Sequence, residues 1–302
     1  MRSMEPRLFQ FAFSSMGCPC EVQLESAVAK AAETAATAAI AEVARLDEKY
    51  SHYRSDNFLA DLCLDAGVRS VEVDDETANL LDFADALFRQ STAKFDITAG
   101  ALTKLWDAQG GRVPSAEEIA AARAQVGWSR VEWRRPQLRL RADMRIDFGG
   151  IVKEYAADRA AAICRAAGIA HGVVDLGGDL AVVGAHADGR PWLAGIKSPR
   201  APEKVYASIA LARGGLATSG DYERALVVEG RRYSHIVDAT TGWPVQGFAS
   251  VSVIADSCLV AGAASTLAML LGCEDGAAYL SELGLPHLTI DQSGAAAGTI
   301  AV

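Results

Sequence analysis

Residues 172–184 read GVVDLGGDLAVVG, two short apolar runs separated by a Gly-Gly pair between acids. This is the pattern of a strand, a tight glycine turn and a returning strand, because glycine tolerates the backbone angles that such turns require. Short strand-like runs then follow one another: WLAGIK, VYASIAL, GLATS, RALVVEG, RYSHIVD and FASVSVIA. A doubly wound parallel sheet needs a regular strand–helix alternation, which the middle of the chain lacks. The expected class is therefore α+β, with antiparallel sheets and packed helices.

The flanks agree. LFQFAFSSMG alternates and ends at Gly17, and CEVQLE alternates again, predicting a hairpin or two adjoining strands. Residues 27–48 are Ala-rich, with Ile40, Val43 and Leu46 on one face of a helix, and 76–91 form a second amphipathic helix. SAEE at 115–118 is a capping box, opening a helix that should run to about Gln125 and stop at Gly127. VEWRRPQLRLRADMRIDF is strand-like, with Pro136 demanding a turn or an edge. Helices are expected at 153–167, closed by Gly168, at 258–271 and at 275–283, before a last strand HLTI. With 302 residues and no convincing linker, the chain is expected to form a single domain or two intimately fused halves.

Charge and cysteine usage narrow the function. Twenty-nine basic side chains against 38 acidic ones give a net charge of −9, which offers no support for a nucleic-acid partner. An anionic ligand is still compatible, because backbone amides supply local positive potential. Cys18 and Cys20 are close, but no second pair completes a zinc site, and free thiols in a reducing compartment are expected. No apolar run approaches the ~20 residues of a transmembrane helix. The opening MRSMEPRLFQFAFSSMGC, weighed as a lipoprotein leader, reads better as an alternating strand, so a cytoplasmic location is expected.

Polar residues gather at glycine-rich junctions. RIDFGGIVKEYAADR places Asp147 at a strand end, two glycines after it and a helix near Val152, whose first amides and Lys153 suit a diphosphate; an ordinary strand-to-helix turn explains the local pattern equally well. DLGGDL, with Asp179, is similarly balanced between a ligand turn and a plain hairpin. ATSGDYER adds Ser219, Gly220 and Asp221, and FDITAGAL adds Asp96 and Thr98. His235, at the predicted end of a strand with Asp238 three residues on, can take a proton near neutral pH or simply be satisfied by a carbonyl.

Taken in order, MGC at 16, YSHYRSDNF at 50, FDITAGAL at 95, IDFGGIVKEYAADR at 146 and VVDLGGDL at 173 resemble the FAD:protein FMN transferase family, also called the thiamine biosynthesis lipoprotein family. ATSGDYER at 217, HIVDATTGWP at 235 and LVAGAASTLAMLLG at 259 extend the resemblance over nearly the whole chain. It implies a flavin transferase-like fold that binds FAD and, with Mg2+, moves its FMN half to a threonine hydroxyl of a target flavoprotein, releasing AMP. By motif position, His235 is the implied base. Met16, Tyr53, Asp96, Thr98, Asp147, Lys153, Asp179, Ser219, Gly220, Asp221 and Ile236 are the implied flavin-dinucleotide contacts.

The implied metal ligands fall on the carbonyl of Gly150, on position 262 and on Thr266, one helical turn later. Position 262 is glycine where the pattern has aspartate, so cation binding is expected to be weakened unless Asp238 or Asp179 compensates. Cys18, Ala101, Glu154 and Ala239 are further departures, and Glu154 sets a carboxylate beside the implied phosphate site. The departures leave two alternatives open: an FAD-binding homologue without transfer, or an enzyme that hydrolyses FAD or has otherwise diverged.

Overall fold

The computed structural model describes residues 5–106 and 111–300; residues 1–4, the start of the stretch weighed as a leader, lie outside the described residues. Its frame is one eight-stranded sheet. The strands are β1 (Arg7–Ser15), β2 (Cys18–Ser26), β3 (His171–Leu176), β4 (Asp179–Gly184), β5 (Gly215–Gly220), β6 (Phe248–Ala255), β7 (His287–Asp291) and β8 (Ala296–Gly298). They lie in the sheet in chain order, and every neighbouring pair is antiparallel. The GVVDLGGDLAVVG stretch is the β3–β4 hairpin, with Gly177 and Gly178 at φ +68 and +97 in its turn.

Side-chain alternation divides the sheet into two faces. Val174, Leu176, Ala181, Val183 and Ala217 point into the main core beneath the helices. Val173, Val182 and Leu216 point the other way, against a two-stranded arm made of Trp192–Ser198 and Ala201–Leu211. Because both faces are covered, β6 is buried along almost its whole length.

The helices are α1 (Ala29–Tyr50), α2 (Phe58–Leu64), α3 (Asp75–Gln90), α4 (Gly100–Leu105), α5 (Ala116–Arg123), α6 (Val152–Ala166), α7 (Cys258–Leu271) and α8 (Cys273–Leu283). The Ala-rich stripe of α1 is buried at Ala32, Ala35, Ala36 and Ala39, and these small side chains let it lie close to its neighbours. The capping box at Ser115 and Glu118 forms as expected. Two helices were not legible in the sequence, α2 behind an Asn57 cap and the short α4.

Two strand expectations need correction. In residues 131–148 only Glu132–Arg134 and Gln137–Arg139 pair, and Asp143 adopts φ +66, which breaks extended backbone before Asp147. RYSHIVD is likewise two short pieces, Arg231–Tyr233 and Val237–Asp238, with His235 in the irregular gap. That gap is held by a third apolar cluster in which Trp106, Tyr233, Val237 and Ile119 meet. Trp106 donates to the Gly242 carbonyl at 2.9 Å and stacks on Tyr233.

Helices α6 and α7 are tied by one carboxylate. Asp158 of α6 accepts from the amides of Cys258 and Leu259, both at 2.9 Å, at the first turn of α7. These amides have no partner within their own helix, so a carboxylate there satisfies donors and faces the positive helix end. Asp158→Ala is expected to cost about 2 kcal/mol and to lower the thermal midpoint by roughly 5 °C, with Asp158→Asn losing less because it keeps an acceptor oxygen. An unchanged melting curve for the alanine variant would show that solvent caps α7 equally well.

Candidate active site

Three loops and two helix faces converge near the turn between β1 and β2. Met16 sits there at φ +51, a left-handed conformation held by two bonds. Its amide donates to Asp47 at 2.8 Å, and its carbonyl accepts from Arg224 at 3.2 Å. Gly17 and Gly177 allow close approach here: a Cβ at Gly17 would lie 3.0 Å from the Arg224 guanidinium, and one at Gly177 would lie 2.8 Å from Cys18 Sγ. Lys153, in the first turn of α6, reaches the same place and pairs with Asp179 at 2.6 Å. Burial works against the Lys153 charge, but Asp179 and Glu154 outweigh it and hold the ammonium firmly protonated. The hydrogen bond from the Cys20 thiol pulls Cys18 down to about 7, with burial opposing and Lys153 and Arg224 helping.

His235 is fixed beside this group. Its Nδ1 lies 2.8 Å from the Glu223 carbonyl. A carbonyl can only accept, so Nδ1 carries the hydrogen and Nε2 of the neutral ring keeps its lone pair free. Desolvation pushes the imidazole down to about 4; the Glu223 carbonyl works in the other direction, and Arg224 and Lys153 add to the lowering. At neutral pH the ring is a neutral acceptor.

The second part of the site lies where α6 faces α7. Ser219 at the end of β5 bonds Ser265 at 2.8 Å and Thr266 at 3.0 Å. Glu154 is buried, and its Oε2 has no hydrogen-bond partner. Burial, followed by the neighbouring Asp179 carboxylate, pushes Glu154 up to about 8 against the pull of Lys153. Its side chain lies directly over Gly262, where a Cβ would stand 2.5 Å from Glu154 Cγ. Among the described residues no group of three or more His, Cys, Asp or Glu side chains converges as a metal cage.

Other expected residues have different surroundings. Asp147 pairs with His52 at 3.1 Å and accepts from the Gly149 amide at 2.7 Å. Burial raises its carboxyl, but these partners override that and leave it below the usual range. Tyr53, 73% exposed, packs its ring against His52 at 3.9 Å between centroids. The Asp96 carboxylate accepts from Thr98 and from the Trp128 amide, and Thr98 in turn accepts from Gly127, so both side chains brace their own loop. Asp221 is held by Arg200 at 2.7 and 2.9 Å and by Gln292. Gly220 lies under the Tyr222 ring, Gly150 lies against Phe95, and the Ile236 carbonyl accepts from Val245.

Neither acid named as a substitute for the missing side chain at 262 is open. Asp179 is occupied by Lys153 and by the Thr218 amide. Asp238 closes its own turn through Thr240, with Lys94 at 3.4 Å. Sequence reasoning also passed over His52, Arg224 and the place of Glu154. His52 stood beside Tyr53 and Arg224 stood inside ATSGDYER, but nothing local announces their partners.

The chain matches the ApbE family over residues 16–289. It is 30% identical to the FAD:protein FMN transferase of Klebsiella pneumoniae over 82% of this chain and 74% of that one. It is 32% identical to that of Treponema pallidum over 76% and 69%. Its fold superposes on a Thermotoga maritima ApbE protein with TM-score 0.89 at 31% identity, covering 97% of each chain. The flavinyl transferase ApbE of Pseudomonas stutzeri gives 0.86 at 30% identity, over 99% of this chain and 96% of that one.

The burial of His235 is open to direct measurement. Its ring resonances are expected to titrate with a midpoint near 4; a midpoint near the usual ~6.5 would show a solvated ring. Between those values the unfolded chain binds a proton that the folded chain does not. This group's contribution to stability is therefore complete above ~6.5 and declines as the pH falls towards 4. Replacing it, as in His235→Asn, should flatten that part of the stability profile.

Proposed function

The chain is an enzyme of the ApbE family, similar throughout to FAD:protein FMN transferases, and from that premise we propose that it joins the FMN half of FAD to a threonine hydroxyl of a target flavoprotein, with release of AMP and dependence on magnesium. FAD is the substrate. One bond forms, between the threonine oxygen and the FMN phosphorus. One breaks, between that phosphorus and the bridging oxygen, which leaves on AMP with the bonding electrons. The threonine proton passes to Nε2 of His235.

The observation that carries this reading is the fixed tautomer of His235. Its Nδ1 is spent on the Glu223 carbonyl, so Nε2 is the acceptor, in a half-buried position beside Lys153 and Arg224. Those cations, with the start of α6, supply what a diphosphate needs in a chain of net negative charge. Transfer requires an acceptor hydroxyl, a base and charge relief held in line, with little covalent work for the protein itself. In the free protein Lys153 and Arg224 help to depress His235. A bound diphosphate offsets their charge, so His235 becomes the stronger base only when substrate is present.

The residues where α6 faces α7 fit a hard cation, because the donors there are oxygens and one of them, buried on Glu154, lacks a partner. The Thr266 hydroxyl and the Gly150 carbonyl would help to hold it. A bound magnesium ion supplies charge neutralisation at the diphosphate.

Incubation of the full chain with FAD, magnesium and an acceptor flavoprotein is expected to yield AMP and an acceptor heavier by FMN, read by mass spectrometry. His235→Ala should lower the turnover by roughly 10²–10⁴-fold while FAD binding persists. Equal rates would remove His235 as the base. AMP and free FMN formed without acceptor would identify a hydrolase, and bound FAD with no AMP a binding protein.

A further inference from the structure

Two of the departures noted in the sequence, Glu154 and Gly262, are a single feature in three dimensions. A Cβ at position 262 would lie 2.5 Å from Glu154 Cγ, 3.0 Å from Cδ and 3.1 Å from Oε1. No larger residue fits at 262 while Glu154 keeps this rotamer. The Glu154 carboxylate thus stands in the space that a side chain on α7 would otherwise fill, reaching it from α6.

The register of the two helices explains the meeting. Asp158 contacts the first turn of α7 at Cys258 and Leu259. One turn back on α6 is Glu154, and one turn on along α7 is Gly262, so the facing stripes run in opposite directions. The next turn of α7 brings Thr266, whose hydroxyl lies 3.0 Å from Ser219.

Glu154 is 9% exposed, and its Oε2 has no partner. A buried carboxylate oxygen left unsatisfied is costly and calls for a ligand. The other nearby carboxylate, Asp179, already has Lys153 and the Thr218 amide and meets the Glu154 carboxyl, which leaves Oε2 as the open oxygen. Asp256, just before α7, is exposed. We infer that Glu154 supplies the side-chain carboxylate of a divalent-cation site between α6 and α7, with the Thr266 hydroxyl beside it, the acid having moved from one helix to the other. Magnesium-type sites need only one or two carboxylates, completed by neutral oxygens and water, so a cage of three acids is not required. The inference rests on the transferase reading for the identity of the ion, and the placement of the carboxylate is independent of it.

The test is a Mn2+ titration of the purified full chain, with and without FAD, followed by the electron paramagnetic resonance signal of the free ion, together with thermal melts. Wild type is expected to bind Mn2+ and to gain thermal stability from it. Glu154→Gln should weaken binding by roughly tenfold or more, while its cation-free melting point should not fall, since the amide keeps the shape of the acid. Gly262→Asp alone should melt several degrees lower, because the new side chain and Glu154 claim one space. The double variant E154G/G262D should regain both stability and Mn2+ binding, whereas E154G alone should not bind.

Wild-type-like Mn2+ affinity in E154Q, no Mn2+ binding by the wild type under either condition, or a double variant that fails to bind would each overturn the inference. The two readings fail separately. Mn2+ held through Glu154 without AMP release removes the transferase and keeps the site, and transfer with unaltered cation dependence in E154Q does the reverse.

Discussion

The closeness of α6 and α7 sets the geometry of the site. A single carboxylate, Asp158, joins the two helices end to side by accepting from two amides of α7. Small residues along α7, among them Ala261, Gly262, Ala263 and Ala264, leave room for α6 to press against it. Everything placed on the first two turns of α6 is then aimed at a defined level of α7. Lys153 turns towards the β3–β4 hairpin and Asp179, Glu154 turns towards Gly262, and Ser219 at the end of β5 closes the group through Ser265 and Thr266. A shift of one residue in that register would turn Glu154 by about 100° and dissolve the arrangement.

The charges sort by the same geometry. In a chain of net charge −9, binding the proposed anionic substrate requires positive charge gathered locally. Lys153 and Arg224 supply it near Met16 and Gly177, while the acids there are occupied or screened. Asp47 is turned to the Met16 amide and the Ser15 hydroxyl, and Asp175 to the Gly178 amide. The cations have a second effect, since with burial they keep His235 neutral. Under the proposed function, anion binding and base strength are therefore not independent: the groups that would attract the diphosphate are the ones it would neutralise before the imidazole holds a proton.

Much of the fold was legible in the sequence because it is encoded locally. The GVVDLGGDLAVVG hairpin, the Ala-rich stripe of α1, the capping box at Ser115 and the glycine stop at Gly168 each depend on residues within one or two turns of each other. The Asp143 turn and the break around His235 were missed because tertiary contacts override an extended pattern there: Asp147 bonds the carbonyl of Ile97, and Ala239 that of Lys94. At the site, motif order pointed to Lys153 and Asp179, which pair, to His235 near Lys153, and to Ser219, which meets Thr266. It could not show which side chains are spent internally. Asp96, Thr98 and Asp221 are implied as ligand groups by motif position, and in the structure their oxygens accept from neighbouring amides, hydroxyls and a guanidinium.

The pair at 154 and 262 shows the same limit from the other side. Read one position at a time, a glycine at 262 is a lost anion and a glutamate at 154 is an intrusive one, and the two departures count twice against the site. Packed together they are one substitution, because the glutamate is admitted only by the missing Cβ and its carboxylate fills the space that the missing side chain vacates. Length matters as well. Glutamate carries one more methylene than aspartate, so from the facing helix it spans the gap that a shorter acid on α7 would not have to cross. Either change alone leaves a defect, a clash with an additional like charge or a void with no anion, and neither defect can be read from a sequence in which the two positions are far apart.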